Sequence, residues 1–221
     1  MTGKEIDKYK VVKVFNDHAQ EYDEWFVDNL VYETELAALQ SLHAEMNDPK
    51  MEIGVGSARF AQKLGVAFGI DPAWAPLKIA SKREVKCCQA FGEQLPVKDR
   101  TIGTIYVLFT LCFTDDPQKV LEECSRALKE DGCLVIGMIP SESKWGKILA
   151  AKKKAGHAFY KHARFYTIES IKKWLSNVNM TITESSSTLY QGPGGIKHIE
   201  SPRNVLDEQA GFVVIVANKC Q

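Results

Sequence analysis

The sequence predicts an α/β fold: a doubly wound, mostly parallel sheet of seven strands, with an antiparallel strand at its C-terminal edge and a helical cap at its N-terminus. Three observations carry this expectation. Residues 51–60 run from an apolar strand end through Gly54 and Gly56 into a helix-forming stretch. Short apolar runs then alternate with helical segments of ten to fifteen residues, the pattern of right-handed crossovers in a parallel sheet. The chain closes on two strand-like stretches, 180–190 and 211–218, with no helical periodicity between them, which points to an antiparallel pair.

The 221 residues suit one domain with small additions. It divides into a helical cap over 1–47, a core over 48–139, an inserted segment over 140–166, and a last helix and strand pair over 167–221. Lys plus Arg and Asp plus Glu number 28 each, so bulk charge does not favour a nucleic-acid or membrane-surface partner. The polar start of the chain has no apolar signal-like stretch and no long apolar run follows, so a cytoplasmic protein is expected. Six scattered cysteines lack the spacing of metal ligands; no metal is expected, and reduced thiols acting as small apolar side chains are.

Taken in order, residues 11–46 show helical spacing. Phe15, Ala19, Tyr22, Trp25 and Phe26 form one stripe and Leu36, Leu39, Leu42 and Met46 another, which predicts two amphipathic helices parted near Asp28 and Asn29. The aromatic stripe belongs either to the core or to a cover over a ligand. After Asn47-Asp48-Pro49 comes a first strand, 50–53, then the glycine turn and a helix ending at Gly65. Residues 66–70 form a nearly continuous apolar run, as in a central strand buried on both faces, ending at Asp71.

Pro72 and Pro76 mark the first turn of the next helix. A third strand over 85–89, the loop Ala90 to Asp99 and a fourth strand over 102–111 follow. Asp115-Asp116-Pro117 starts a helix, with Asp115 in the capping position, whose buried face is Val120, Leu121, Cys124, Ala127 and Leu128; Gly132 is its expected end, before a strand over 133–139. The segment 140–166 concentrates Lys, Ser, Ala and aromatic residues after a strand's carboxyl end, where it would cover the ligand side. One more helix carries Ile168, Ile171, Trp174 and Leu175.

A glycine turn with an acid after the second strand, seventeen positions beyond Gly54, is where a ribose carboxylate belongs. Dinucleotide enzymes and S-adenosylmethionine enzymes share it. Arg59 stands where the dinucleotide fingerprint requires glycine, Glu52 is a poor neighbour for a pyrophosphate, and the final strand pair suits the second class better.

These residues resemble the class I S-adenosylmethionine-dependent methyltransferases, in particular the branch acting on small molecules. Glu52 to Phe60 is similar to that family's first motif, E-x-G-x-G-x-G with a following aromatic; Ile70-Asp71-Pro72 is similar to the second. Gly92-Glu93-Gln94-Leu95-Pro96 with Asp99 resembles A-E-x-L-P-x-x-D, and the run from Asp116-Pro117 to Gly132 resembles D-P-x-x-x-L-x-E-x-x-R-x-L-K-x-G-G. Phe15 to Asp23 is similar to the F-x-x-x-A-x-x-Y-D entry helix. The resemblance spans about residues 15–140 and implies a Rossmann-like fold.

It also implies roles. Gly54 and Gly56 would admit the methionine part of S-adenosylmethionine, Glu52 would support the loop and the cofactor amine, and Asp71 would hold the ribose. Gly92 and Glu93 would border the adenine, and Tyr22 would cap the methionine end. Three departures from the family pattern stand out: Ala58 replaces the third glycine, at little strain if its φ is negative; Phe91 replaces an acid near the adenine; Gly103 replaces an acid that reads as structural. The expected reaction is methyl transfer to O, N, S or C of a small-molecule acceptor, releasing S-adenosylhomocysteine. Tyr22, His157, Tyr160 and His162 are the candidate catalytic groups, with Tyr166 beside them. Two alternatives accompany this reading: a silent S-adenosylmethionine-binding or regulatory protein of the same fold, and a nicotinamide-dependent oxidoreductase.

Overall fold

A computed structural model describes residues 7–220; the polar first six residues lie outside it. Seven strands, β1 (Lys50–Ile53), β2 (Phe68–Asp71), β3 (Lys86–Gln89), β4 (Ile102–Leu108), β5 (Leu128–Met138), β6 (Met180–Thr188) and β7 (Phe212–Lys219), form one sheet in the order β3-β2-β1-β4-β5-β7-β6. The pairs from β3 to β5 are parallel, and β7 runs antiparallel to both β5 and β6, giving the expected antiparallel pair at one end.

Alternation along the strands loads both faces with apolar side chains. Ile53, Ile105, Val107, Leu134 and Ile136 meet α6 (Pro117–Ala127) and α8 (Ile168–Asn177) through Leu121, Cys124, Ile171 and Leu175. Tyr106, Leu108, Val135 and Val214 meet α3 (Leu30–Gln40), α4 (Arg59–Leu64) and α5 (Trp74–Ala80) through Leu36, Phe60 and Leu77. The remaining helices are α1 (Lys8–Asp17), α2 (Ala19–Glu24) and α7 (Lys144–Lys154). No helix among the described residues is long and apolar enough to cross a membrane.

Four expectations need correction. The N-terminal region holds three helices rather than two: the expected break near Asp28 and Asn29 is present, with the Asn29 side chain capping α3 by accepting from the Val31 amide at 2.8 Å, but His18 leaves helical dihedrals (φ −122°, ψ 25°) and divides α1 from α2. The bend aims α2 at the glycine turn. α6 stops at Ala127, well before Gly132, because the Arg100 and Thr101 amides take the Arg126 and Ala127 carbonyls at 3.0 and 2.9 Å, and Leu128 already pairs with Ile102 of β4. β2 is not buried throughout; Phe68 is 41% exposed, with Lys86 Nζ 5.6 Å from its ring centre. Finally, Asp116 rather than Asp115 caps α6, accepting from the Lys119 amide at 3.1 Å.

Candidate functional site

The carboxyl ends of β1, β2 and β4 open onto a cleft, and the turn after β1 forms its floor. Gly54 (φ 71°) and Gly56 (φ 51°) hold left-handed backbone that favours glycine. A Cβ on Gly54 would strike the Thr110 side chain, whereas one on Gly56 would reach only the Tyr22 ring, at 3.5 Å. The Gly54 and Val55 amides donate to Ile70 O at 2.8 and 2.9 Å, which pins the turn to the end of β2. Ala58 is also left-handed (φ 64°, ψ 32°) and fully buried, so the low strain expected for a negative φ does not hold.

Asp71 stands at the cleft wall and accepts from the Gly56 amide at 3.0 Å and the Ala73 amide at 2.7 Å. Burial pushes its carboxyl up to about 6, against those two amides, so it is ionised at neutral pH with lone pairs left on both oxygens. Glu52 lies beneath the turn rather than on the cleft wall. It is 3% exposed, and its Oε2 is buried without a hydrogen-bond partner. Burial raises its pKa well above the carboxylate range, and the neighbouring Asp71 charge raises it further. Gly92 packs so closely on Ile53 that a Cβ would sit 2.9 Å from Ile53 Cγ2. Beside it Phe91 lines the cleft, with Lys8 Nζ 4.7 Å from its ring centre. Glu93 also lines the cleft, one oxygen accepting from the Asp115 amide at 3.1 Å. Gly103 is structural, since a Cβ there would run into the Asn47 carbonyl.

Behind the cleft lies a larger cavity of about 270 Å³ lined by twelve aromatic side chains. The two share Phe15, Tyr22, Phe109, Thr110 and Phe113 as a common partition. The segment 140–166 folds as α7 and a single 3₁₀ turn at Tyr160–His162, and supplies the cavity's outer wall through Trp145, Leu149, Phe159, Tyr160 and Tyr166. Of the four candidate catalytic groups, Tyr22 and Tyr160 line the cavity, whereas His157 and His162 line neither space. His157 is stacked behind Tyr160, ring centres 4.7 Å apart, and burial lowers the pKa of both histidines.

Two features escaped the sequence reading. Asp23, 5% exposed, accepts from Arg59 Nε at 2.9 Å and Nη2 at 2.7 Å, and from Arg83 Nη2 at 2.9 Å, while Arg83 Nη1 donates to Ser57 O at 2.6 Å. Arg59 thus turns away from the cleft and fastens α2 to the start of α4. The aspartate of the Tyr22-Asp23 pair was the only available signal. The second is Glu35 on α3, which lines the aromatic cavity at 6% exposure. A lone acid inside a leucine-rich helix face was its only trace.

Asp71 thus offers free acceptor lone pairs on the cleft wall, Glu52 lies beneath the turn, and the shared residues stand between cleft and cavity. Comparisons with known proteins bear on the family. A methyltransferase-domain family model matches residues 51–136. A protein of Mycobacterium tuberculosis is 37% identical over 203 residues, covering 90% of this chain and 71% of its own length. A protein of Methanocaldococcus jannaschii is 33% identical over 94% of this chain and its own full length. The crystal structure of an S-adenosylmethionine-dependent methyltransferase from Thermotoga maritima, described as a possible histamine N-methyltransferase, superposes with a TM-score of 0.88 at 33% identity, covering 95% of this chain and 100% of that one. With sheet order, glycine turn and relatives in agreement, the chain belongs to the S-adenosylmethionine-dependent methyltransferases, and S-adenosylmethionine is its cofactor.

Proposed function

We propose that this enzyme transfers a methyl group to a small-molecule acceptor held in the aromatic cavity, with the cofactor lying in the glycine-turn cleft. The observation that carries the reading is the shared lining: Phe15, Tyr22, Phe109, Thr110 and Phe113 border both spaces, which sets the two side by side. When bound, S-adenosylmethionine supplies an activated methyl on a sulfonium, and the chain's task is positioning and exclusion of water.

Gly54 and Gly56 leave room for the methionine portion, and Asp71 takes the ribose hydroxyls on its free lone pairs. Glu52, buried beneath the turn with one oxygen unbonded, supports the loop under the cationic end of the ligand. Phe91, Gly92 and Glu93 border the adenine, and Tyr22 closes the methionine end. The segment 140–166 acts as a lid over the acceptor. Tyr160 and Tyr22, with Tyr166 beside them, are left as the catalytic candidates on the wall, with burial holding all three phenols protonated at neutral pH. A concave, ring-lined cavity suits a small molecule better than a nucleic-acid strand. All six cysteines are free thiols, which supports the cytoplasmic reading. The test is methyl release from labelled cofactor over a panel of thiols, amines, phenols and quinones. Turnover of one class is expected; cofactor binding with silence across the panel would favour the non-catalytic binder instead.

A further inference from the structure

Among the described residues one acid lines the aromatic cavity, and it is unusually placed. Glu35 is 6% exposed and lines the cavity, and among the described residues neither a hydrogen bond nor an ion pair reaches its carboxyl group. Its surroundings are rings: Trp25, Phe26, Tyr32 and Tyr160 border the same space. A buried carboxylate with no counter-charge is costly unless a ligand provides one. Rings around such a group favour a cation, which interacts with their faces most strongly where water is excluded.

We propose that the acceptor is an organic amine, bound as its ammonium among these rings with its positive charge set against the Glu35 carboxylate. The proposal rests on the methyltransferase reading above and names its substrate class. For transfer, the ammonium gives one proton to the Glu35 carboxylate. The freed nitrogen lone pair forms the new N–CH₃ bond as the S–CH₃ bond breaks, leaving that electron pair on the thioether sulfur. The product departs as a methylammonium ion and the Glu35 proton passes to solvent, so charge and atoms balance.

The electrostatics of the cavity agree. Burial alone pushes the Glu35 carboxyl up to about 8. The other titratable walls offer it no charge: Tyr22, Tyr32, Cys112, Tyr160 and Tyr166 are all shifted upward by burial and neutral at pH 7. Lys152, the cavity's only cationic wall residue among the described residues, has its Nζ 5.9 Å from the Tyr160 ring centre and makes no ion pair with Glu35. Binding of an ammonium at pH 7 must therefore expel the proton from Glu35.

The test is calorimetric titration of the protein saturated with S-adenosylhomocysteine, using 2-phenylethylamine and its neutral counterpart 2-phenylethanol in buffers of differing ionisation heat. The amine is expected to bind about thirtyfold tighter than the alcohol, as a desolvated cation–π site would give, and to release close to one proton per site. Glu35→Gln should remove both the preference and the proton release while the alcohol binds as before. Equal or tighter binding of the alcohol by the wild-type protein, a comparison independent of any variant, would overturn the proposal; so would a preference that survives Glu35→Gln. Methyl transfer to phenols or thiols but not amines would sink the amine assignment alone. Exclusion of both probes, together with no turnover on the acceptor panel, would remove the underlying reading as well.

Discussion

Replacing Asp23 by alanine should unfasten the N-terminal helices from the glycine turn. Asp23 is 5% exposed and accepts three hydrogen bonds from two guanidinium groups, whose side chains are 24% (Arg59) and 15% (Arg83) exposed. Removing one partner of a fully buried ion pair costs about 3–5 kcal/mol, most of it from the charge left behind. Here both arginines retain some access to water, and Arg83 keeps its bond to Ser57 O, so the lower figure of about 3 kcal/mol applies. For a chain of this size that is a fall in Tm of roughly 6–12 °C. The assay is thermal unfolding of Asp23→Ala, Arg59→Ala and the double variant. The Arg59 substitution should cost much less in the alanine background, because the coupling has already gone. The pH dependence has a definite sign. Burial would raise the Asp23 pKa, but the bonds from Arg59 and Arg83 outweigh it and hold the carboxyl far below its unfolded value of 3.8. The folded pKa is depressed, so the stabilisation is fully present above about pH 4 and is lost as pH falls through the folded value. The wild type and Asp23→Ala should thus converge in stability under strong acid. An alanine variant melting within about 2 °C of wild type at pH 7, on that same size scaling, would refute the argument.

Two further outcomes test the cofactor cleft. Asp71→Ala should weaken S-adenosylhomocysteine binding by about a hundredfold in calorimetric titration, the loss expected for two charge-assisted bonds to ribose hydroxyls; unchanged affinity would remove the ribose role. Ala58→Gly should raise stability by about 0.5–1 kcal/mol, since relief of a left-handed alanine outweighs the added freedom of glycine in the unfolded chain, and a lowered Tm would mean that the buried methyl matters more than the backbone strain.

The parts of the fold set by local periodicity could be read from the sequence. Strand β1, the turn at Gly54 and Gly56, and Asp71 at the end of β2 all declare themselves within a window of about twenty residues. Helix ends that depend on remote partners could not be read in this way. α6 stops early because amides of the 100–101 loop cap its last carbonyls, and nothing local to Ala127 announces it. The conformation of Ala58 was equally hidden, since an alanine at that place is compatible with either sign of φ until the turn is built. Long-range charge pairing escapes any window: Arg59 and Arg83 lie 36 and 60 positions from the aspartate they share. Glu35 illustrates the same limit at the site itself. Along the helix it is one acid among leucines, and only the cavity that α3 and the inserted segment line together turns it into the carboxyl group of an aromatic chamber.

The partition of Phe15, Tyr22, Phe109, Thr110 and Phe113 belongs to two chambers at once, and this ties their occupants thermodynamically. Whatever factor the first ligand gains or loses by fixing those rings, the second experiences in equal measure, because linkage is reciprocal. Spent cofactor that holds the rings as the acceptor needs them would act as its partner in binding rather than only as its competitor in turnover. The strength of inhibition by S-adenosylhomocysteine would then rise and fall with acceptor concentration. Two of the five rings and side chains ride on α1 and α2, so the Asp23 clamp that fastens α2 also holds part of that partition in place.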